Sequence, residues 1–276
     1  MADFAAIISA AQAQVDEALG SDQGSVTRPA AKRDSATIAG RIDHTRLAAT
    51  ATQAEVEKLC REASEYGFAS VCVNTRWVPL AAETLAGTDV MVCTVVGFPL
   101  GAMTRLAKAE EARITVAEGA QEVDMVIDVG GLLSGDLAGV YEDMRGVASS
   151  AYPVPVKAIL ETCLLTDEQK AVACLLALRS GVAYVKTSTG FSTGGATVDD
   201  IALMRACVGD ALGVKASGGI HSRSDAEALL AAGADRIGAS ASIAIVEGAG
   251  GSDSGGDRKS TRLNSSHANI SYAVFC

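Results

Sequence analysis

A chain of 276 residues that is 49% hydrophobic and 20% charged has enough apolar side chain to bury a core without leaning on disulfides or metals. Its net charge of −10 argues against nucleic acid or an anionic membrane as the main partner, since both select basic surfaces. No run approaches the roughly 18 continuous apolar residues that a membrane span requires, and the opening MADFAAIISAAQAQVDEALG lacks the basic start of a secretory signal.

In chain order, Phe4, Ile7, Ile8, Ala11, Val15 and Leu19 recur at helical spacing, which predicts an amphipathic N-terminal helix and then a polar linker, together residues 1–37. From residue 38 short β-branched runs alternate with alanine-rich helical patterns. The predicted strands are TIAGRIDHT, FASVCVN, DVMVCTVVGF, EVDMVIDVG, VPVKAILET, VAYVKTST, LGVKASGG and ADRIGAS. Helical patterns cover 52–66, 77–86, 104–118, 136–150, 166–180, 197–209 and 223–232, with a short one from about 241. Strict alternation of near-continuous apolar strands with helices belongs to a parallel sheet covered by helices. Eight such units, without the G-x-G-x-x-G turn of an open nucleotide-binding sheet, predict an α/β fold: a closed (β/α)8 TIM barrel over 38–248 with the N-terminal helix as an extra. At residues 249–276 the alanine-rich acidic chain gives way to serine, asparagine and arginine, and a disordered or non-native tail is expected there.

In such a barrel the chemistry gathers at the carboxyl ends of the strands. Asp43 closes the first predicted strand, and Cys72 and Asn74 the second. Asp124 and Asp128 lie on the fourth, Lys157 and Glu161 on the fifth, Lys186 and Ser188 on the sixth, Lys215 and Ser217 on the seventh. Members of each pair are two or four residues apart and share a face. An isolated buried ammonium is heavily penalised, so these lysines must be paired or lose a proton. One reading is a structural ion network of Lys157, Lys186, Lys215, Asp43 and Asp124. The other is chemical: a second cation makes a neighbouring ammonium shed its proton more readily and frees an amine to attack a carbonyl, an arrangement that Lys186 and Lys215 fit. Asp124 and Asp128 are equal candidates for acid–base work on spacing alone.

The turns TGFSTGGAT, SGGIHSRSD and GASAS after strands six to eight offer backbone N–H groups to a phosphate, while Thr197 and Ser222 are placed to cap the helices that follow. His44 reads as a structural group, and with His221 and His267 it shows no ligand spacing, so no metal is expected. Seven cysteines without a C-x-x-C pair, mostly inside apolar runs, point to a reducing cytoplasm, and Cys72 reads as a buried thiol.

The stretches YVKTSTGFSTGGAT, VKASGGI, EVDMVIDVG, IDHT, ASVCVN, CTVVGFPLGA and ETCLLTDEQK, spread without large gaps between about 38 and 248, closely resemble the deoxyribose-phosphate aldolase family. The resemblance implies a cofactor-independent class I aldolase of deoxyribonucleoside catabolism. Such an enzyme reversibly cleaves 2-deoxy-D-ribose 5-phosphate to D-glyceraldehyde 3-phosphate and acetaldehyde, usually as a homo-oligomer, dimer or tetramer. It implies Lys186 as the Schiff-base nucleophile, Lys215 as the cation that assists it, and Asp124 rather than Asp128 as the proton carrier, through a water. Gly190, Gly218, Gly219 and Ser240 fall where the family grips the 5-phosphate. Asp43, Thr45 and Thr189 fall where it lines the sugar, with Lys157 also among the substrate contacts and Cys72 near the reaction centre without an essential role. Thr75 and Arg105 depart from the family pattern outside the lysine and aspartate motifs, and Tyr272 stands in an unrelated context and takes no family role. Without the resemblance, the residues also allow a non-catalytic phosphosugar-binding barrel or another phosphosugar lyase or isomerase.

Overall fold

Eight parallel strands close on themselves in chain order, β8 pairing with β1: β1 (Ile42–Arg46), β2 (Ser70–Val73), β3 (Met91–Val96), β4 (Glu122–Val126), β5 (Val156–Ile159), β6 (Tyr184–Lys186), β7 (Gly213–Ser217) and β8 (Arg236–Ala239). The structure, a computed structural model, describes residues 4–21, 27–30 and 35–248. The expected tail at 249–276, with Tyr272, and residues 22–26 and 31–34 of the expected linker lie outside the described residues.

Every predicted strand overlaps an observed one, and the differences have local causes. The first predicted run opens instead with a 3-10 turn at Ala39–Arg41, closed by the Arg41 N–H on the Ile38 carbonyl at 3.0 Å. The fourth run is cut short because the Asp128 side chain accepts the Gly131 N–H at 2.9 Å. That contact starts a short helix that the strand pattern had concealed.

The helices are α1 (Ala5–Leu19), α2 (Gln53–Tyr66), α3 (Val78–Thr84), α4 (Arg105–Ala117), α5 (Val129–Leu133), α6 (Leu137–Ala151), α7 (Asp167–Ser180), α8 (Val198–Val208), α9 (Arg223–Ala231) and α10 (Ser242–Glu247). Hydroxyl caps fix several entry points. Thr52 and Thr166 form capping boxes with Glu55 and Gln169, Ser222 does so with Asp225, and Thr197 accepts the Asp200 N–H. Thr197 and Ser222 therefore cap their helices as the sequence predicts.

The run from Ala171 to Ala177 makes α7 buried on nearly every side. A helix with that composition needs a cover, and α1 supplies it: Ala11 and Val15 are fully buried, Arg179 pairs with Asp16, and its Nη1 donates to the Gly20 carbonyl at 2.7 Å. A second buried pair ties β4 into the shell. Lys108 of α4 reaches Asp143 of α6 at 2.7 Å and the Val126 carbonyl at 3.0 Å, with both side chains excluded from solvent. Asp143→Ala leaves that ammonium with a carbonyl alone, and a loss of about 3–5 kcal/mol is expected in urea unfolding. A midpoint equal to the parent's would contradict the assignment.

Candidate active site

Inside the barrel the usual Val, Ile and Leu layers give way to charge. Glu122 and Asp124 are two residues apart on β4 and share its inward face. Register then sets Asp124 beside Lys157, Lys186 beside Lys215, and Lys215 beside Arg236. Arg236 Nη1 lies 2.7 Å from Asp43 Oδ1 and 3.2 Å from Glu122 Oε2. Lys157 Nζ lies 2.7 Å from the same Glu122 oxygen and 2.8 Å from Asp124 Oδ1. Lys215 Nζ lies 2.7 Å from Asp124 Oδ2 and 2.5 Å from Asp43 Oδ2.

These contacts close a ring of alternating sign: Arg236, Asp43, Lys215, Asp124, Lys157, Glu122 and back to Arg236. Its formal charges cancel. Lys186 hangs outside it, joined at 2.8 Å to Asp124 Oδ2, its one ion pair among the described residues. The aromatic floor of this layer is Tyr184, whose ring lies 6.0 Å from Lys157 Nζ and 5.8 Å from the Arg236 guanidinium carbon. The ring of Tyr184 fits because residue 213 is glycine, where a Cβ would stand 2.2 Å from it.

Burial works against the charges on Asp43, Asp124, Lys157, Lys215 and Arg236, and their neighbours outweigh it. Lys157, Lys186 and Lys215 hold the Asp124 carboxyl well below the usual range despite burial. Arg236, Lys215 and Lys157 do the same for Asp43. Burial lowers Lys215, but Asp124 and Asp43 more than restore it and keep the ammonium above its ordinary value. Lys157 is likewise raised against burial, by Asp124, Cys93 and Glu122.

Cys72, Cys93 and Asp124 also bring their ligand atoms within 4.8 Å of one another, a donor set that a metal can use. The chemistry here does not suit one. Lys157 Nζ already stands 3.3 Å from Cys93 Sγ. Burial first, then Cys72 and Asp124, push the Cys93 thiol up, whereas metal ligation needs a thiolate.

A cavity of about 380 Å³ opens above Lys186. Lys186, Thr45, Thr189, Gly190, Gly218, Gly219 and Ser240 all line it, so the expected nucleophile, two of the sugar contacts and the whole expected phosphate set are brought together. Asp43, Cys72 and Lys157, expected among the substrate contacts, do not line it. They lie one layer deeper with Asp124 and Lys215, each without solvent exposure, whereas Lys186 keeps 3%. The β6 and β7 turns lock together where the Ala196 N–H meets the Gly218 carbonyl at 3.0 Å. Gly218 takes φ +87°, and a Cβ on Gly195 would sit 2.2 Å from the Gly218 oxygen, so both positions demand glycine.

Several residues at the site carry little or no signal in the sequence. Glu122 and Arg236 complete the charge ring, and Arg46, Phe191 and His221 line the mouth. Phe191 meets Phe98 edge-on at 5.2 Å. Glu161 adopts φ +57° and accepts both the N–H and the hydroxyl of Thr189, turning that side chain toward the cavity wall. Glu122 carried a sequence signal in its two-residue spacing from Asp124; Arg236 is identified only through register. His44 is structural, bonded to Ser242 at 2.9 Å and Glu62 at 3.0 Å on the helix side of β1. Asp128 is occupied by its capping bond, which leaves Asp124 as the carboxylate at Lys186.

A family model for DeoC/LacD family aldolases matches residues 37–250. The chain is 58% identical over 214 residues to a deoxyribose-phosphate aldolase of Brevibacillus brevis, a match spanning 78% of this chain and 97% of that protein. It is 60% identical over 210 residues to one from Bacillus cereus, spanning 76% and 94%. The tetrameric deoxyribose phosphate aldolase of Aeropyrum pernix superposes with a TM-score of 0.71 at 33% identity, over 86% of this chain and 95% of that one.

Proposed function

The chain belongs to the DeoC/LacD family of aldolases, and we propose that Lys186 is the amine with which it reversibly cleaves 2-deoxy-D-ribose 5-phosphate to D-glyceraldehyde 3-phosphate and acetaldehyde. The observation that carries this reading is the position of Lys186: among the described residues it is the lysine that lines the cavity and the cation paired to the neutral ring from outside it. A surplus positive charge among buried ions is relieved when its carrier loses a proton, and the amine so formed is a nucleophile.

Attack of the Lys186 amine on the C1 aldehyde gives a carbinolamine, and loss of water gives an iminium. The iminium restores a cation opposite Asp124 Oδ2, where the carboxylate is already oriented to receive it. Removal of the C3 hydroxyl proton breaks the C2–C3 bond, releases glyceraldehyde 3-phosphate and sends the electron pair into an enamine. Protonation at C2 and hydrolysis free acetaldehyde and the amine. Asp124 and Lys215, joined at 2.7 Å, are the pair we assign to carry these protons, through a water at the substrate.

Gly190, Gly218, Gly219 and Ser240 are assigned to the 5-phosphate, which holds C1 near the amine and turns remote binding energy into positioning. Thr45 and Thr189 are assigned to the sugar, and Asp43, Cys72 and Lys157 support from below. The catalytic unit is residues 38–248, with 1–37 as its N-terminal helix and linker. A homo-oligomer, dimer or tetramer, is favoured by Leu100, Met103 and Leu106, exposed together in one segment. The six described cysteines are all free, which favours the cytoplasm. No described helix is long and apolar enough to cross a membrane.

Purified protein supplied with 2-deoxy-D-ribose 5-phosphate is expected to release acetaldehyde and glyceraldehyde 3-phosphate in equal amounts, at a rate that a chelator leaves unchanged. Saturable binding of the phosphosugar without either product would favour a non-catalytic barrel instead.

A further inference from the structure

The charge ring has a near side and a far side. Asp124 and Lys215 touch Lys186 or its carboxylate; Glu122 and Arg236 touch neither and line no part of the cavity. Both are nonetheless almost wholly buried, at 0% and 1% exposure. Burying a carboxylate and a guanidinium is costly, and apolar residues of similar volume would fill a barrel floor at least as well. Their contacts explain their presence. Arg236 holds Asp43, which holds Lys215; Glu122 holds Lys157, which holds Asp124 Oδ1 and leaves Oδ2 to Lys186 and Lys215.

Resting on the reading of Lys186 as the Schiff-base amine, we infer that Glu122 and Arg236 are positioning residues for that chemistry: they close the far side of the ring, and its neutrality leaves Lys186 as the surplus cation. Glu122 supplies the third negative charge and Arg236 the third positive one. Removing either leaves the ring unbalanced by one unit, in opposite directions, with no atom at the cavity changed.

Around Lys186 stand Asp124 on β4, Lys157 on β5 and Lys215 on β7, with Asp43 on β1 and the thiols of Cys72 and Cys93 on β2 and β3 behind them. At the mouth are Arg46 and His221, with Glu161 beyond Thr189. None of these residues is itself substituted in Glu122→Gln or Arg236→Gln, although Lys157 and Asp43 respectively lose a partner. Glu122→Gln leaves excess positive charge, so Lys186 sheds its proton at lower pH. Arg236→Gln leaves excess negative charge, so the proton is held to higher pH.

The test is the acid limb of kcat/KM for deoxyribose 5-phosphate cleavage, read across pH in both single variants and in the double variant. The expected shift is about one pH unit downward for Glu122→Gln and about one upward for Arg236→Gln, as a unit charge acting through the interior predicts. The double variant, again neutral, is expected to return to the parent limb. A purely structural role would lower activity in all three without opposed shifts. Each single variant leaves a buried charge uncompensated, so one of them is at risk of not folding. One folded single variant compared with the double variant is then sufficient. Limbs that coincide, or that move in the same direction, overturn the inference. Borohydride trapping of acetaldehyde on the parent runs beside it: trapping at Lys186 with coincident limbs sinks only the role of Glu122 and Arg236, whereas no trapping at Lys186 removes the underlying reading.

Discussion

Lys186→Ala is expected to abolish retro-aldol turnover, a fall of about four orders of magnitude or more, because no other lysine among the described residues lines the cavity to form the covalent intermediate. The same change is expected to leave the fold intact. Lys157 meets three carboxylates of the ring and Lys215 two, so removing either strands buried charge, whereas Lys186 is pendant and its loss leaves the six-membered ring closed and neutral. Kinetics and a thermal melt on the same preparation decide the matter. An inactive variant with a melting temperature near the parent's fits a chemical lysine. A variant that collapses, or one that keeps activity within tenfold, returns Lys186 to a structural role.

Lys215→Leu carries the second largest expected effect, on three measurements at once. It deletes the cation between Asp43 and Asp124, and a loss of stability of about 3–5 kcal/mol is expected from the two buried carboxylates left short of a partner. It also removes a positive charge that shares Asp124 Oδ2 with Lys186. The Lys186 proton then becomes harder to remove, and the acid limb of kcat/KM is expected to move to higher pH by about one unit. Turnover at the optimum is expected to fall by roughly a hundredfold or more, since the proton carrier is disabled with it. An acid limb unchanged in this variant would contradict the coupling between the two lysines, whatever happens to the rate.

Much of this was legible in the residues. Alternating β-branched and alanine-rich segments specify parallel strands and outer helices, and the period of two on each strand places Lys157, Lys186, Lys215 and Asp124 on one side of the sheet. The structural network and the reactive lysine, opposed as readings of the sequence, are compatible: the network is the ring, and the lysine we propose as reactive is the one the ring leaves over. What remained hidden depends on register and local geometry. Nothing in ADRIGAS announces that Arg236 lies level with Lys215, because that alignment follows from closing eight strands with a common stagger. VPVKAILET places Glu161 on the lysine face but does not reveal the left-handed backbone that turns it onto Thr189. Asp128 looked equal to Asp124 by spacing; the structure separates them by the capping bond of Asp128 to Gly131 and the three lysines on Asp124. The family resemblance set Asp43, Cys72 and Lys157 among the substrate contacts, yet depth divides them from Lys186, which lines the cavity while they stop beneath it.

The central claim is that one amine, Lys186, forms the covalent bond to the substrate carbonyl. Incubation with acetaldehyde and borohydride, followed by proteolysis and mass spectrometry, tests it most directly. The expected product is a single ethyl adduct on the peptide bearing Lys186, absent from Lys186→Ala. An adduct on Lys157 or Lys215, or an active protein that never acquires one, would contradict it.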